Sequence, residues 1–313
     1  NAIRHARSGA GPSLVECLTF RMRGHEEASG TDYIPATLLA EWAEKDPLAR
    51  FEAHLADTGV LSVEEATAIR HELALKIRDE TDRAADSAHP TSTPEAEVSA
   101  VYAPAAESVE PGEKAEEMRY VDAISNALAV QMSKDDRTVL MGQDIAAYGG
   151  VFKVTEGLFE THGGARVRNT PIIESAAIGA ALGLALNGYR PMVEMQFADF
   201  IACGFNQIVN NVAKTHYRWG VPVPMVIRAP YGGGVGAGPF HSQSIEAWFT
   251  SVPGLKVVTP ATPDDAKGLL LAAFADPNPV LFLEHKKLYR SLTGSVPTGD
   301  YLPSIGEASV VRA

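Results

Sequence analysis

The most constraining feature of this sequence is an alternation of short apolar segments with helix-like segments between residues 120 and 283. Strands are predicted at 138–141, 165–168, 192–195, 224–228, 255–259 and 279–283. Between them, helices are predicted at 120–131, 174–187, 200–217 and 264–275. Strands that alternate with helices form a parallel sheet with helices on both faces. The sequence therefore predicts an α/β fold that binds its ligands at the carboxyl ends of the strands.

The rest of the chain divides by composition. Residues 1–84 are predicted to hold a strand at 13–20 and several helices, the clearest running from the capping box Ser62-Val63-Glu64-Glu65 to about Arg83. Residues 85–117, rich in Pro, Ser, Thr, Ala and Glu, are predicted to be a flexible linker. Residues 118–300 form the α/β domain. Residues 301–313, with a strand-like run at 308–311, are expected to begin a truncated further domain, so that we expect a fragment at both ends.

Charge and cysteine content limit the function classes. With 39 acidic against 27 basic residues the net charge is -12, which argues against nucleic acid or an anionic membrane as a partner. No uncharged run is long enough to suggest a membrane span, and the start has no signal-peptide core. Cys17 and Cys203 stand far apart in apolar surroundings and are predicted to be buried thiols of a cytoplasmic protein.

Glu174 stands at a predicted helix start between apolar and small residues. The structural interpretation is a carboxylate that interacts favourably with the helix dipole. The functional interpretation is a carboxyl group whose apolar surroundings favour protonation, so that it can share a proton with a ring nitrogen at neutral pH. The small side chains of the following helix predict either close approach of another backbone or subunit, or plain core packing.

A glycine-rich loop at 231–244 ends in His241, flanked by hydroxyl and amide side chains. Gly232, Gly234 and Ala237 match a dinucleotide fingerprint formally, but Pro239 follows at once and no acidic residue ends the next strand. The loop is better interpreted as a flexible segment that lets His241 reach a substrate, although a loop histidine is often only a surface residue.

His25 lies beside Arg21 and Arg23, where it could meet an anionic group. The zinc-protease pattern H-E-x-x-H fails, because position 29 is Ser29. A solvated charged loop is the alternative interpretation of this segment.

Several motifs, in order and spacing, resemble the beta subunit of the decarboxylating component of thiamine diphosphate dependent 2-oxo acid dehydrogenases. They are the runs 141–144, 148–155, 169–179, 196–200, 241–244, 253–258, 265–270 and 284–290. Residues 13–85 resemble the carboxyl-terminal part of the alpha subunit, through Thr19-Phe20-Arg21, Gly24-His25 and the entry to a helix at 46–51. The resemblance implies an alpha-beta fusion with a transketolase-like, pyrimidine-binding fold.

By resemblance, Glu174 would hold the N1′ atom of the cofactor's aminopyrimidine ring and so promote loss of the thiazolium C2 proton. Gln196 and Phe197 would line the pyrimidine site. His241 would orient the substrate or transfer a proton as the acyl group passes to a lipoyl arm, while His25 would face the diphosphate and substrate from the alpha side. Glu26 stands where some relatives carry a regulated serine, so that phosphorylation switch is not expected here.

The resemblance also implies two metals. The Gly-Asp-Gly segment that holds magnesium and the diphosphate is not found in the sequence, and is expected to precede Asn1. A monovalent cation such as K⁺ is implied at five residues, which without the resemblance include an ordinary turn: Met225, Ala273, Phe274, Asp276 and Asn278.

The implied reaction is oxidative decarboxylation of a 2-oxo acid, with transfer of the acyl group to the lipoyl domain of the dihydrolipoyl acyltransferase component. The fused chain would form a homodimer resembling an alpha2beta2 assembly, and residues 1–313 alone are expected to be inactive. Two alternatives stay open: a transketolase-like ketol transferase that passes its intermediate to an aldehyde, and a non-catalytic assembly subunit.

Overall fold

The computed structural model describes residues 1–26, 28–105 and 107–307, and the chain separates into two compact units, 1–90 and 91–313. The predicted strand-like run at 308–311 lies outside the described residues. In the described part of the chain, no helix combines the length and apolar character that crossing a membrane requires.

The first unit consists of helices. They are α1 (Ala2–Arg7), α2 (Ala36–Ala43), α3 (Pro47–Asp57) and α4 (Val63–Ala85). Both arms of the predicted capping box are present at α4, because Ser62 accepts the N–H of Glu65 and the Glu65 carboxylate accepts the N–H of Ser62. The predicted strand at 13–20 is wrong: this segment has no regular structure, and Leu14 and Leu18 are exposed.

The second unit contains the predicted alternation of strands and helices. Its strands are β1 (Ala115–Arg119), β2 (Thr138–Gly142), β3 (Val167–Asn169), β4 (Arg190–Glu194), β5 (Val226–Tyr231), β6 (Lys256–Val258), β7 (Val280–His285) and β8 (Thr293–Pro297). Its α-helices are α5 (Pro94–Ala100), α6 (Tyr120–Lys134), α7 (Leu158–His162), α8 (Glu174–Leu186), α9 (Thr215–Trp219), α10 (Pro263–Ala275) and α11 (Leu288–Ser291).

Six of these strands form one parallel sheet in the order β3-β2-β4-β5-β7-β6. One apolar cluster packs α6 and α10 against the sheet, and a second cluster contains α8 and the segments that follow β4. Side chains alternate between the faces of a strand, so that Val226 belongs to the first cluster and Ile227 to the second. The predicted parallel sheet with helices on both faces is confirmed.

The segment after β4 differs from the prediction of one helix over 200–217. It is divided into a 3-10 helix (Ala198–Gly204), a π-helical turn (Gln207–Val212) and α9. A β-carbon at Gly204 would collide with the side chain of Ile178 on α8. The chain therefore passes close to α8 at this point, where the two segments pack against each other.

The segment predicted as a linker over 85–117 contains regular structure. It includes α5, and β1 pairs antiparallel with β8. The side chain of Asn278 makes two hydrogen bonds to the backbone of Ala103. Its Oδ1 accepts the Ala103 N–H at 2.7 Å, and its Nδ2 donates to the Ala103 carbonyl at 2.9 Å. The pairing of β1 with β8 and the hydrogen bonds of Asn278 do not depend on a hydrophobic pattern, so composition alone does not predict them.

Residues 301–307, the described part of the segment predicted to begin a further domain, pack on the second unit. Tyr301 is buried and donates a hydrogen bond to the Asp264 carbonyl at 2.8 Å, and Leu302 forms a backbone bridge with Val109. The prediction of buried thiols is wrong, because Cys17 and Cys203 are both free and exposed.

Candidate functional site

The candidate site lies at the carboxyl ends of neighbouring strands of the parallel sheet. Glu174 follows β3, Phe197 follows β4, His241 lies in the loop after β5, and Lys286 follows β7. The strands are parallel neighbours in the order β3-β2-β4-β5-β7, so all four side chains lie at the carboxyl-terminal edge of the sheet. This is where a parallel α/β sheet is expected to bind its ligand.

Glu174 is the first residue of α8, and its side chain is half-buried. The side-chain amide of Gln143, which follows β2, donates a hydrogen bond to Glu174 Oε1 at 3.2 Å. A carboxylate is stabilised at a helix N-terminus, so the helix-dipole interpretation and a ligand-binding role are both compatible with this position. The surroundings of Glu174 are less apolar than the sequence predicts, since a polar amide is in contact and Ile172 and Ile173 are exposed.

An aromatic cluster positions the imidazole ring of His241. The ring meets Phe197 edge-to-face with centroids 4.7 Å apart, and it meets Phe200 in the same way at 5.4 Å. Phe197 also contacts Phe152 at 5.7 Å. His241 Nδ1 is buried and has no hydrogen-bond partner in the described chain. The ring is therefore held by aromatic edges, and one of its nitrogens is left for a ligand or a proton.

The glycine-rich loop folds back on the sheet and delivers His241. Gly232 has a positive φ of 78°, and a β-carbon there would collide with the imidazole ring of His285, so only glycine fits. Its N–H donates to the Gln243 carbonyl at 3.0 Å and closes the loop. His241 ends a three-residue 3-10 helix, whereas a dinucleotide fingerprint opens a long helix.

Two charged residues of this site were not predicted as site residues. Asp199 Oδ1 accepts the backbone N–H groups of Ser242 at 3.2 Å and Gln243 at 3.1 Å. Lys286 is buried, and its ammonium lies 5.5 Å from the centroid of the Phe197 ring. Burial lowers the pKa of Lys286, and the negative charge of Asp199 opposes that shift. The sequence signal is a lysine directly after an apolar strand, but Asp199 and Lys286 stand in the sequence only as parts of the motifs at 196–200 and 284–290.

A buried ionic network lies in the sheet between β4, β5 and β7. The guanidinium of Arg228 donates to the carboxylates of Glu194 and Glu284, and the Tyr289 hydroxyl donates to Glu284 at 2.6 Å. The ring of Tyr289 contacts Phe152 at 5.0 Å, which connects the network to the aromatic cluster. The only sequence signal was a charged residue within each of three apolar strands.

The carboxyl groups of the network share one cation. Burial raises the pKa of Glu194 above its ordinary value, and Arg228 opposes that shift. Burial by itself would lower the pKa of Arg228, but Glu284 and Glu194 raise it well above its ordinary value. Glu284 binds the guanidinium through both oxygens and Glu194 through one. We assign a proton to Glu194, which holds it more readily than an ordinary glutamate because it is buried.

The other predicted site residues lie in different places. Gln196 is half-buried after β4, next to Phe197. His25 is exposed in the first unit, and its role in the same site as Glu174 stays a prediction.

The groups predicted to bind a monovalent cation are largely engaged by the protein itself. The Phe274 carbonyl accepts from Arg190, and Asp276 forms an ion pair with Lys256 at 2.5 Å. The Met225 carbonyl accepts the Val280 N–H at 3.0 Å. Within residues 1–26, 28–105 and 107–307, no group of three or more His, Cys, Asp or Glu could hold a metal ion. A monovalent cation at these five residues stays a prediction.

Comparison with protein families gives two matches. The description "Transketolase, pyrimidine binding domain" matches residues 116–291, more than half of the chain, and "Dehydrogenase E1 component" matches residues 1–93. The first match contains Glu174, the aromatic cluster and the ionic network.

Comparison with curated proteins gives relatives over the same region. The 2-oxoisovalerate dehydrogenase subunit beta of Bacillus subtilis is 52% identical over 199 residues, covering 62% of this chain and 60% of the relative. The pyruvate dehydrogenase E1 component subunit beta of Acholeplasma laidlawii is 48% identical over 194 residues, covering 61% and 59%. The chain thus spans about three fifths of the length of these relatives.

Among solved structures, one named "Split gene transketolase, inactive beta4 tetramer" aligns with a TM-score of 0.43 and 23% identity, covering 53% of this chain and 50% of that chain.

Proposed function

Because the chain belongs to the transketolase pyrimidine-binding domain family, we propose that it works as part of a thiamine diphosphate dependent 2-oxo acid dehydrogenase. The reaction would be the oxidative decarboxylation of a 2-oxo acid, with transfer of the acyl group to a lipoyl group. The names of the relatives favour 2-oxoisovalerate or pyruvate as substrate. The observation that carries the proposal is a carboxylate at the start of α8, at the same sheet edge as a buried histidine nitrogen that has no hydrogen-bond partner in the described residues.

The residues present fit the pyrimidine half of such a cofactor. Glu174 offers a carboxylate that Gln143 holds through one oxygen. Phe197 and its aromatic neighbours offer an apolar surface against which a ring can pack. When bound, thiamine diphosphate supplies the carbon nucleophile and the electron sink for decarboxylation.

The chain's own groups would hold and move protons. From its half-buried position at the start of α8, Glu174 would keep a proton between its carboxylate and the pyrimidine nitrogen N1′. His241 would hold or release a proton through a ring nitrogen as the acyl group leaves, while Phe197 and Phe200 keep the imidazole from rotating. Gln196 would line the pyrimidine site beside Phe197, and His25 would act from the alpha-like unit.

Further features of the proposal concern the whole protein. Mg²⁺ would bind with the cofactor diphosphate. K⁺ would have to displace Lys256 from Asp276 and Arg190 from the Phe274 carbonyl. The partners would be the lipoyl domain of the acyltransferase component and a second copy of the chain in an alpha2beta2-like assembly. The cytoplasm is the proposed location.

Titration of thiamine diphosphate into the complete protein, together with an assay of decarboxylation, tests this proposal. Glu174→Gln keeps the size of the side chain but cannot exchange the proton, so we expect decarboxylation to fall by about 10²-fold or more. The matched control is Glu160→Gln, an exposed glutamate on α7, which should behave as the parent.

The same variants, with added assays of ketol transfer and lipoyl acylation, decide between the alternatives. Equal cofactor binding and turnover in parent and Glu174→Gln would contradict the catalytic proposal and favour an assembly subunit. Ketol transfer to a sugar phosphate without acylation of a lipoyl domain would favour the transketolase-like alternative.

A further inference from the structure

Three polar atoms around His241 are buried and have no hydrogen-bond partner within the described chain. They are His241 Nδ1, Asp199 Oδ2 and Lys286 Nζ. Buried polar atoms without partners are uncommon, and a buried ammonium needs a compensating charge. Since the three belong to loops after β4, β5 and β7, the arrangement requires an explanation beyond packing.

The carboxylate of Asp199 fixes the turn that directly follows His241. One oxygen accepts two consecutive N–H groups, those of Ser242 and Gln243. Hydrogen bonds to an ionised acceptor are about twice as strong as neutral ones. The orientation of the imidazole therefore depends on the charge of Asp199 as well as on the aromatic rings around it.

Lys286 is placed to compensate that charge. Its backbone N–H donates to the Tyr231 carbonyl at 3.1 Å, which continues the pairing of β5 with β7 and anchors the residue. Its ammonium is buried against the face of Phe197, the ring that contacts His241. The negative charge of Asp199 acts on this ammonium without a direct hydrogen bond between the two side chains. Lys286 therefore acts on His241 by two routes, through Asp199 and through Phe197.

We propose that Asp199 and Lys286 form a positioning pair that holds the His241 turn and so controls the step in which the acyl group passes to its acceptor. This inference rests on the proposed function for the identity of that step. The position of the turn itself does not rest on it.

The role of each charge can be tested with variants that remove the charge and keep the approximate size of the side chain. Asp199→Asn keeps one oxygen as an acceptor but removes the charge, and Lys286→Met keeps the length of the side chain but removes the ammonium. The double variant removes both charges together and leaves no uncompensated ion. Lys287→Met is the matched control, because Lys287 is the exposed neighbour of Lys286.

Two readouts are measured on the complete protein. Hydrogen exchange at the amides of Ser242 and Gln243 reports the turn without any reaction. Decarboxylation with an artificial electron acceptor and acylation of a lipoyl domain report the two halves of the reaction. We expect faster exchange in both single variants and a loss of about tenfold or more in lipoyl acylation, with a smaller loss in decarboxylation.

In the double variant we expect a loss smaller than the product of the two single losses, because the charges compensate each other. The inference is overturned by unchanged exchange at Ser242 and Gln243, by equal losses in both half-reactions, or by multiplicative losses in the double variant. Faster exchange in a protein that catalyses neither half-reaction would uphold the positioning pair and refute the proposed function instead.

Discussion

The two units of the chain use equally good helix signals but differ in what their helices bury. In the described residues of the first unit, Ala66 is the only buried apolar side chain, whereas the second unit has two apolar clusters on opposite faces of its sheet. Yet α4 begins with a complete capping box, as does α10 in the second unit. Local signals therefore determine where a helix begins, and a core depends on what the helix packs against.

The apolar residues of the first unit are on its surface. Leu48, Phe51 and Leu73 line a groove between α3 and α4 and are each more than half exposed. By contrast, Leu270 on α10 is fully buried. We therefore expect substitutions of the same chemical type to have large effects in the second unit and small effects in the first.

The largest difference in stability between the two units is expected when one arginine is replaced in each. Arg228→Met would leave the buried carboxyl groups of Glu194 and Glu284 without their cation, which is expected to lower the free energy of unfolding by about 3–5 kcal/mol. Arg70→Met in the first unit removes a solvent-exposed ion pair with Glu52, where about 0–1 kcal/mol is expected. Urea unfolding of both variants measures the difference, and equal losses would contradict the contrast between the units.

The next largest difference in stability is expected when one leucine is replaced in each unit. Leu270→Ala removes a fully buried side chain and leaves a cavity, which costs about 2–5 kcal/mol. Leu73→Ala truncates a side chain that is 51% exposed, so a change within about 0.5 kcal/mol is expected. If both variants lost several kcal/mol in the same urea experiment, Leu73 would have to be buried in the complete protein.

The same contrast explains what could be predicted from the sequence. The strands β2 to β7 and helices α4, α6, α8 and α10 have strong local patterns, and the predicted segments coincide with them to within a few residues. The predicted strand at 13–20 has an apolar pattern too, but a strand exists only through hydrogen bonds to a partner strand, and none pairs with this segment in the described chain.

The candidate site was predicted only in part for the same reason. Glu174, Phe197 and His241 stand in recognisable motifs, and the structure brings the last two into direct contact. Asp199 and Lys286 are 87 positions apart by their numbers, and only the strand order β4-β5-β7 shows that both lie near one histidine. Sequence spacing does not encode that order, so buried charges that converge from different strands were missed.

A smaller effect, equal in both units, is expected at the helix caps. Ser62→Ala and Thr262→Ala each remove the side chain that accepts an N–H in the first turn of α4 or α10. Each loss is expected to be about 1 kcal/mol, because the interaction is local. Hydrogen exchange in the first turn of each helix measures it. A much larger loss at Thr262 would show that caps also depend on the core.

The smallest expected effect is a change of stability with pH, and its sign is opposite for one glutamate in each unit. Burial raises the pKa of Glu194, whereas hydrogen bonds from the Ser62 backbone and side chain lower the pKa of Glu65. A raised carboxyl pKa gives stability that is fully present below the ordinary value of 4.5 and is lost as the pH rises through the folded-state pKa. A lowered pKa gives stability that is present above 4.5 and is lost as the pH falls through the folded-state pKa.

Glu194→Gln and Glu65→Gln remove these two dependences, and urea unfolding as a function of pH compares each with the parent. The stability of Glu194→Gln relative to the parent should rise as the pH increases above 4.5, because the parent then has to keep a buried carboxyl protonated or bury its charge. The stability of Glu65→Gln relative to the parent should rise as the pH decreases below 4.5, and only slightly, since Glu65 is exposed. Curves of the same sign for both variants would show that Glu194 is ionised and fully compensated by Arg228, and the assignment of the proton to Glu194 would have to be abandoned.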